Sequence, residues 1–326
     1  MTLYPLLCSP AYHQRVWGGR NLEKYLGKQL PPQGTIGESW EIYDTNTIIN
    51  GEYTGYTLQE ILAKFPKELG GDLYKGGDFP LLSKFLDAQD WLSVQVHPND
   101  ELAQALEGQP RGKTECWYVI EAEPDAEIIY GFSQSISAED FRDTIIHGGD
   151  KAKEVLNFVK VRKGDFIFVP AGTIHALGKG VIIYELQQTS DTTYRLYDWD
   201  RVGLDGKPRE LHIEKGIMCS NFFLINPPLN PGTIITQHKD YTEESLTDNE
   251  FFTLKKYYNF KEKHKIILHG DSAQLLTVLH GALQLSGDFD DIQVQQGMSI
   301  ILPAKLPYCY INAGADCELL IAHYNS

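Results

Sequence analysis

The chain has 326 residues, enough for about two domains at the usual size of roughly 150 residues each. Hydrophobic residues make up 42% of the chain and charged residues 22%, a composition that excludes collagen, coiled coils and wholesale disorder. Forty-four acidic residues against 29 Lys plus Arg give a formal charge of -15, which repels nucleic-acid phosphates and anionic membranes, so we expect neither as a partner.

Cysteine usage and hydropathy bear on where the protein resides. Five cysteines are scattered along the chain without a C-x-x-C pair that could form a zinc site or a redox couple, and their odd number fits a reducing compartment. No segment approaches the roughly 18 consecutive apolar residues of a membrane span. The apolar stretch near the N-terminus has no basic residue before it, unlike a signal peptide. We therefore expect a cytoplasmic protein.

Helical periodicity is limited to three places in the first half of the chain. Residues 57–69 open with a T-x-x-E capping box and continue with apolar residues at helical spacing. Residues 100–106 carry a shorter pattern, and a third helix is predicted to begin at Ser137, where S-x-x-D precedes an apolar stripe. All three lie before residue 160, which predicts a decorated first domain and a plainer second one.

Short strands account for most of the remaining chain. Glycine (29 residues) and proline (16 residues) separate apolar, β-branched and aromatic stretches, the pattern of strands joined by tight turns. The clearest strand segments are 117–122, 127–130, 165–169, 181–186, 275–279 and 298–302. Many short strands favour a sandwich or a barrel, so the predicted fold class is mainly β.

A proline-rich segment and a repeat indicate two β units. Residues 226–232 (NPPLNPG) contain three prolines and a glycine, which preclude a continuous strand or helix. We therefore predict domains at 1–226 and 233–326. The pattern Gly-x5-Pro begins at Gly164 and again at Gly297, each time after a hydrophobic strand, and two copies of one β unit explain this repeat economically.

Four side chains that can bind a metal fall on strand-like segments of the first unit. Gln95 and His97 are two residues apart, so on one strand they point to the same side. Glu115 begins the next strand, and His175 ends a G-x5-P-x-G-x2-H pattern. A small barrel could bring all four side chains inward, which predicts a metal site held by one amide, two imidazoles and one carboxylate.

This pattern resembles the cupin signature, with Gln95 in place of the first histidine. A cupin oxygenase supplies three histidines and a carboxylate to a redox metal, whereas the donor set here suits zinc as a Lewis acid. The glutamine argues against an oxygenase. A non-catalytic sugar-binding or regulatory cupin is a second alternative, against which the intact Lys113, Glu115 and Arg195 argue.

Seven ordered motifs are similar to those of the type I phosphomannose isomerases, in their short bacterial form, and the resemblance covers the chain from about residue 4 to its end. The motifs are WGG (17–19), GESWEI (37–42), PLLSKFLDA (80–88), LSVQVHPND (92–100), GKTECWYV (112–119), VPAGTIHAL (169–177) and SDTTYR (190–195). The resemblance implies two jelly-roll-like cupin barrels, the first with helical decoration and the second without a metal. It also implies the interconversion of mannose 6-phosphate and fructose 6-phosphate through an enediol, with one zinc ion per chain.

The same resemblance assigns roles to individual residues. Arg195 is the catalytic arginine that faces the developing negative charge, and Asp191 assists ring opening. Lys113 or Lys84 is the expected base, because a nearby dication and arginine should lower the pKa of a lysine. Glu38 is a rival base, and sequence alone does not choose among the three.

Substrate binding and assembly complete the expectations. The resemblance gives Trp17, Glu38 and Trp40 as substrate-binding residues. The partner is a small sugar phosphate, which a local cluster of Lys and Arg must attract against the overall negative charge. In the second copy of the repeat, Lys305 and Tyr308 stand where Gly172 and His175 stand in the first, so we expect that copy to bind no metal. A monomer or a weak homo-oligomer is expected.

Overall fold

A computed structural model of the protein describes residues 3–147, 150–229, 233–261, 263–267 and 270–325. These residues form mainly β-strands, which confirms the predicted fold class. The described α-helices all lie before residue 220, so the helical decoration belongs to the part of the chain before the predicted boundary at residue 226.

The strands are numbered in chain order. Those before residue 200 are β1 (Leu6–Leu7), β2 (Ala11–Gly19), β3 (Ile36–Ile42), β4 (Leu81–Ala88), β5 (Val94–Val96), β6 (Glu115–Ala122), β7 (Glu127–Phe132), β8 (Leu156–Lys160), β9 (Phe166–Val169), β10 (His175–Leu177), β11 (Val181–Gln188) and β12 (Tyr194–Tyr197). Those of the second half are β13 (Ile234–Gln237), β14 (Thr242–Asp248), β15 (Phe252–Tyr258), β16 (His264–Ile267), β17 (Gln274–His280), β18 (Ala282–Gly287), β19 (Phe289–Gln295), β20 (Ser299–Leu302), β21 (Tyr308–Ala313) and β22 (Glu318–Tyr324).

The helices confirm the predicted positions and add three short ones. They are α1 (Asn21–Leu26), α2 (Leu58–Lys64), α3 (Asp100–Glu107), α4 (Ala138–His147), α5 (Asp150–Val155) and α6 (Ile213–Cys219). The capping box of α2 forms, because the side chains of Thr57 and Glu60 each accept a hydrogen bond from the other residue's backbone N–H. The predicted helix 57–69 is interrupted at Pro66, which lacks an N–H, and a π-helical turn follows. Helices α1, α5 and α6 have six or seven residues, too few for a clear period.

Two antiparallel sheets build the first barrel. The six-stranded sheet has the order β2-β3-β4-β11-β6-β9, and the five-stranded sheet has the order β12-β5-β10-β7-β8. Side chains from both sheets share one core, with Trp117 and Ile167 from the first and Ile128 and Leu177 from the second. Because alternate residues of a strand point to opposite faces, the inward positions of both sheets meet in this interior.

The second barrel pairs a seven-stranded sheet (β1-β20-β17-β22-β15-β14-β13) with a four-stranded sheet (β16-β21-β18-β19). Its interior is apolar, with Val278, Ile300 and Leu319 packed against Leu285. The burial of apolar side chains is what stabilises this half of the chain.

The two barrels are closely joined. Strand β1 lies at the start of the chain but pairs with β20 of the second barrel, with Leu6 opposite Ile301. A hydrophobic cluster also spans both halves, including Phe85 and Tyr184 of the six-stranded sheet and Tyr324 of β22. The N-terminal residues therefore contribute to both barrels.

The division into domains at 1–226 and 233–326 stays a prediction. Asn226 has a φ of 43°, in the left-handed region that interrupts a regular strand. The rest of the predicted linker lies partly outside the described residues, at positions 230–232.

Two findings bear on the expected location. None of the helices in the described part of the chain has the length and apolar character of a transmembrane span. All five cysteines are buried free thiols. The cytoplasmic location itself stays a prediction.

Candidate active site

Strand register on the five-stranded sheet brings three predicted site residues into one row. Gln95 on β5 lies directly opposite His175 on β10 and directly opposite Arg195 on β12. Residues directly opposite each other in an antiparallel pair have their side chains on the same face. His97 lies two residues beyond Gln95, just after the end of β5.

Strand register on the six-stranded sheet forms a second row. Lys84 on β4 lies opposite Trp40 on β3 and opposite Glu185 on β11, and Glu185 in turn lies opposite Trp117 on β6. Glu115 is two residues before Trp117, so it belongs to the same face. The two rows face each other across the interior of the first barrel, and the metal-binding candidates lie where they meet.

His97, Glu115 and His175 form a buried cluster whose ligand atoms all lie within 4.8 Å of one another. Nε2 of His97 is 3.6 Å from Oε2 of Glu115, and Nε2 of His175 is 3.4 Å from Oε1. Nδ1 of His97 is 3.0 Å from the carbonyl oxygen of Thr192, and Nδ1 of His175 is 2.8 Å from that of Thr173. A carbonyl oxygen only accepts, so both Nδ1 atoms carry the proton and both Nε2 lone pairs point into the cluster.

These atoms fit a metal ion well. Within the described residues, Oε1 of Glu115 is fully buried and has no hydrogen-bond partner, an arrangement that is unfavourable without a cation. The pKa of His175 is lowered by burial to about 4, and burial with the neighbouring Lys113 lowers the pKa of His97, so both imidazoles are neutral as metal ligands must be. The donor set of two imidazoles and a carboxylate suits a divalent transition metal.

Gln95 borders the cluster but turns its amide nitrogen toward it. Nε2 of Gln95 is 3.2 Å from Nε2 of His175, and Oε1 accepts a hydrogen bond from Oγ of Ser93. In this orientation the Nε2 lone pair of His175 faces an N–H donor. Rotation of the amide by half a turn would exchange the nitrogen for the oxygen.

Glu185 is the centre of a buried network of charges. Its Oε1 lies 3.5 Å from Nζ of Lys84 and 3.9 Å from Nζ of Lys113, and its Oε2 accepts a hydrogen bond of 3.1 Å from Nε1 of Trp117. Burial, followed by the nearby charge of Glu115, raises the pKa of Glu185. A buried carboxylate with a raised pKa beside two lysines can exchange protons with them.

Lys113 lies beside the candidate metal ligands. Nζ of Lys113 lies 2.7 Å from Oε2 of Glu115 and 3.3 Å from Nε2 of His97, so it contacts two of the three candidate metal ligands. Burial alone would lower the pKa of Lys113, but Glu115 and Glu185 together raise it above its ordinary value. The two carboxylates therefore stabilise the ammonium of Lys113.

Glu38 is held as an anion. Its Oε1 accepts a hydrogen bond of 2.8 Å from Nε of Arg15, and its Oε2 accepts one of 2.6 Å from Nε1 of Trp40. Burial alone would raise the pKa of Glu38, but Lys84 and Arg15 lower it to about 2. A carboxylate with so low a pKa is a weak proton acceptor near neutral pH, which disfavours Glu38 as the base.

A cavity of about 570 Å³ opens beside the cluster of His97, Glu115 and His175. The predicted site residues that line it are Trp17, Glu38, Lys84, Gln95, Lys113, Asp191 and Arg195. Trp40 instead lines a neighbouring cavity of about 310 Å³, which Asp191 also borders. The main cavity has the size of a small-molecule site.

Arginines supply the local positive charge that an anionic substrate needs. Arg195 is half-buried, and within the described residues its Nε has no hydrogen-bond partner. Its pKa is lowered by burial and then by the neighbouring Arg209, which also lines the cavity and pairs with Asp198. Two adjacent guanidinium groups repel each other, and an anion between them would relieve this repulsion.

Several further residues that line the cavity were not singled out by sequence reasoning, among them Arg15, Trp117, Glu185 and Arg209. Trp117 lies within the GKTECWYV motif, and Glu185 alternates with apolar residues on a buried strand, which was a usable signal. Arg15 and Arg209 follow no pattern that distinguishes them from surface arginines.

The described residues of the second barrel contain no comparable cluster. In the part of the chain that the structure describes, His97, Glu115 and His175 are the only group of three His, Cys, Asp or Glu side chains with metal-binding geometry. Lys305 pairs with Asp72, and the ring of Tyr308 lies beneath Nζ of Lys265.

Comparisons with known proteins show which proteins this chain is similar to. Residues 3–125 match the family described as phosphomannose isomerase type I, catalytic domain. The mannose-6-phosphate isomerase of Streptococcus mutans serotype c is 38% identical over 328 residues, covering 98% of both chains. The mannose-6-phosphate isomerase ManA of Bacillus subtilis is 38% identical over 336 residues, covering 99% of this chain and 100% of the relative. The crystal structure of the mannose 6-phosphate isomerase from Bacillus subtilis superposes with a TM-score of 0.88 at 33% identity, covering 98% of this chain and 100% of that one.

Proposed function

We propose that this chain, which belongs to the type I phosphomannose isomerase family, is a zinc-dependent enzyme that interconverts mannose 6-phosphate and fructose 6-phosphate through an enediol. The chain is an enzyme of the mannose-6-phosphate isomerase kind, as its full-length relatives are. The metal part of the proposal depends on one observation: two imidazole Nε2 atoms and the buried carboxylate of Glu115 converge on one point beside the cavity.

His97, Glu115 and His175 would hold the zinc ion, with the amide oxygen of Gln95 as a fourth ligand. When bound, zinc would supply Lewis-acid polarisation of the substrate's oxygens without redox chemistry. The histidines already have the required tautomer, because the carbonyl groups of Thr173 and Thr192 hold their Nδ1 protons.

Lys84 is our candidate for the proton transfer between C1 and C2. Its side chain lines the cavity, and its Nζ lies 3.5 Å from Oε1 of Glu185. Glu185, whose pKa is raised by burial, is positioned to relay a proton beside this amine. Lys113 is the alternative, but its raised pKa makes the loss of its own proton less favourable.

The remaining predicted residues fit the other needs of the reaction. Arg195 lies directly opposite Gln95 and lines the cavity, so its guanidinium can stabilise the negative charge that develops on the enediol oxygens. Asp191, also at the cavity, is the residue proposed to assist ring opening. We propose that Arg209, beside Arg195, binds the phosphate group, and that Trp17 on the cavity wall contacts the sugar.

The test is a single assay of mannose 6-phosphate conversion, coupled to the detection of fructose 6-phosphate, before and after prolonged chelation. We expect conversion by the protein as purified, loss of activity after chelation and recovery on addition of zinc. Conversion at the full rate by demonstrably metal-free protein would refute the metal-dependent part, and absence of conversion by the zinc-loaded protein would refute the substrate.

A further inference from the structure

Lys84 is enclosed on three sides by the side chains of the six-stranded sheet. Its Nζ lies 3.9 Å from Oε2 of Glu38 and 3.5 Å from Oε1 of Glu185. The centroid of the Trp40 ring lies 4.7 Å from the same Nζ, a cation–π distance. Lys84 is only 5% exposed, so these three neighbours largely determine where its amine can point.

Trp40 contributes twice to this enclosure. Its ring contacts Lys84 directly, and its Nε1 donates the 2.6 Å hydrogen bond that fixes Oε2 of Glu38. The ring itself is fixed by His13, at a centroid distance of 4.4 Å, and by Tyr43, at 4.9 Å. The indole therefore links the orientation of the carboxylate to that of the lysine.

The position of Trp40 argues against the substrate contact that the sequence suggested. Its side chain is 8% exposed and lines the smaller neighbouring cavity, whereas Lys84 and Glu38 line the main one. A substrate in the main cavity would meet the lysine and the carboxylate, with the indole behind them.

We propose that Trp40 is a positioning residue that acts on the isomerisation through Lys84. It holds the lysine amine against the cavity by its ring and holds Glu38 by its N–H group. The inference depends on the proposed function, because it requires Lys84 to take part in the reaction. It predicts an effect on kcat with little effect on KM, since Trp40 touches the catalytic lysine and not the substrate.

The experiment is a double-mutant cycle on the zinc-loaded full-length protein. Trp40→Phe keeps a ring beneath Lys84 but removes the N–H donor to Glu38, and Trp40→Leu removes both contacts. For Trp40→Phe we expect kcat to fall by about tenfold, with KM within about twofold and the zinc content unchanged. The kcat of Trp40→Leu should fall further, because the cation–π contact is also lost.

The decisive measurement is Trp40→Phe in a Lys84→Met background. If Trp40 acts through Lys84, Trp40→Phe should lower kcat by less than about twofold in the Lys84→Met background. The same tenfold loss in both backgrounds would overturn the proposal, because it would mean an independent structural effect. A rise in KM at unchanged kcat would overturn it in favour of a substrate contact.

Two controls keep the result interpretable. Trp91→Phe changes an indole that packs against Phe158 and Trp199, outside the lining of the main cavity, and should leave kcat unchanged. Glu38→Gln offers a second route if the Trp40 variants do not fold, because it weakens the same enclosure and should show the same dependence on Lys84. The proposal would also be overturned if Glu38→Gln lowered kcat by the same factor in the wild-type and in the Lys84→Met background.

Failure of this inference is distinguishable from failure of the proposed function. A zinc-loaded wild-type protein that does not convert mannose 6-phosphate refutes the function itself. A wild-type protein that converts it, together with a Lys84→Met variant of normal kcat, refutes Lys84 as the base and with it the positioning role of Trp40, but leaves the isomerase activity itself standing.

Discussion

Lys28 forms a buried ion pair with Glu41, with 2.5 Å between Nζ and Oε2, on the side of β3 that faces away from the main cavity. Oγ of Ser39 donates a second hydrogen bond to the same carboxylate. Burial lowers the pKa of Lys28 and raises that of Glu41, and each partner opposes the shift of the other. Neither charge is stable in this environment without its partner.

Removal of one partner should therefore destabilise the fold strongly. We expect Lys28→Met to lower the free energy of unfolding by about 3–5 kcal/mol, because it leaves the Glu41 carboxylate buried and unpaired. The double variant Lys28→Met/Glu41→Leu should recover much of this loss. Urea denaturation measures the free energy of unfolding of the single and the double variant. Lys160→Met is the control and should leave this free energy unchanged, since the pair of Lys160 and Asp125 is exposed. Equal stability of the single variant and the wild type would contradict the expectation.

The depressed pKa of Glu38 predicts a specific dependence of stability on pH. A carboxylate whose pKa is about 2 in the folded protein, against an ordinary value of 4.5, contributes stability above pH 4.5 that is lost as the pH falls toward 2. Glu38→Gln should lower the free energy of unfolding by up to about 3 kcal/mol at neutral pH, and by progressively less in acid. Urea denaturation at several pH values between roughly 3 and 7 would show the two curves converging; parallel curves would contradict the low pKa.

Metal stoichiometry should follow the histidine cluster. Elemental analysis of the purified protein should give about one zinc per chain, and His97→Ala should remove it, since the second barrel offers no alternative cluster in its described residues. Removal of the metal should also lower the melting temperature, because an ion that binds only the folded state stabilises it. His280→Ala, at an exposed histidine, should retain the metal. Retention of a full equivalent by His97→Ala would place the site elsewhere.

The proton transfer should leave an isotopic trace. Product formed in deuterated water should carry solvent deuterium at the reprotonated carbon, in a fraction set by how fast the base exchanges its proton. Lys84→Met should lower kcat by ~10² or more with the zinc still bound, because positioned acid–base groups contribute ~10²–10⁴. A smaller loss in Lys84→Met than in Lys113→Met would assign the proton to Lys113, and near-normal kcat in both variants would reject both lysines.

Substitution of Arg209 should weaken substrate binding, whereas substitution of Arg195 should slow catalysis. We expect Arg209→Gln to raise KM by about tenfold or more with little change in kcat, because the phosphate is bound equally in the ground state and in the transition state. Arg195→Ala should mainly lower kcat, since the charge that it stabilises appears only as the reaction proceeds. Steady-state kinetics of the two variants measure these effects. A lowered kcat at constant KM in Arg209→Gln would mean that another residue binds the phosphate.

Local spacing in the sequence was enough to predict much of this protein. The strand and turn pattern indicated a mainly β fold, and the capping box of α2 located a helix start, because both depend on residues that are close in the chain. The alternation of Gln95 and His97 placed their side chains on one side of a strand. These inferences use periods of two or of about 3.6 residues, which require no knowledge of the tertiary fold.

The tertiary structure determined which residues are neighbours in space. The pairing of Lys84 with Glu185 depends on the register of β4 and β11, which no local pattern encodes. The same is true of β1, which leaves the first barrel to pair with β20. The pKa of Glu38 and the pKa of Lys113 follow from charges brought together by folding, so their directions became clear only with the neighbours in place. The sequence determined which chemical groups are present, and the fold determined which of them interact, because Coulombic and hydrogen-bonding energies depend on distances between residues far apart in the chain.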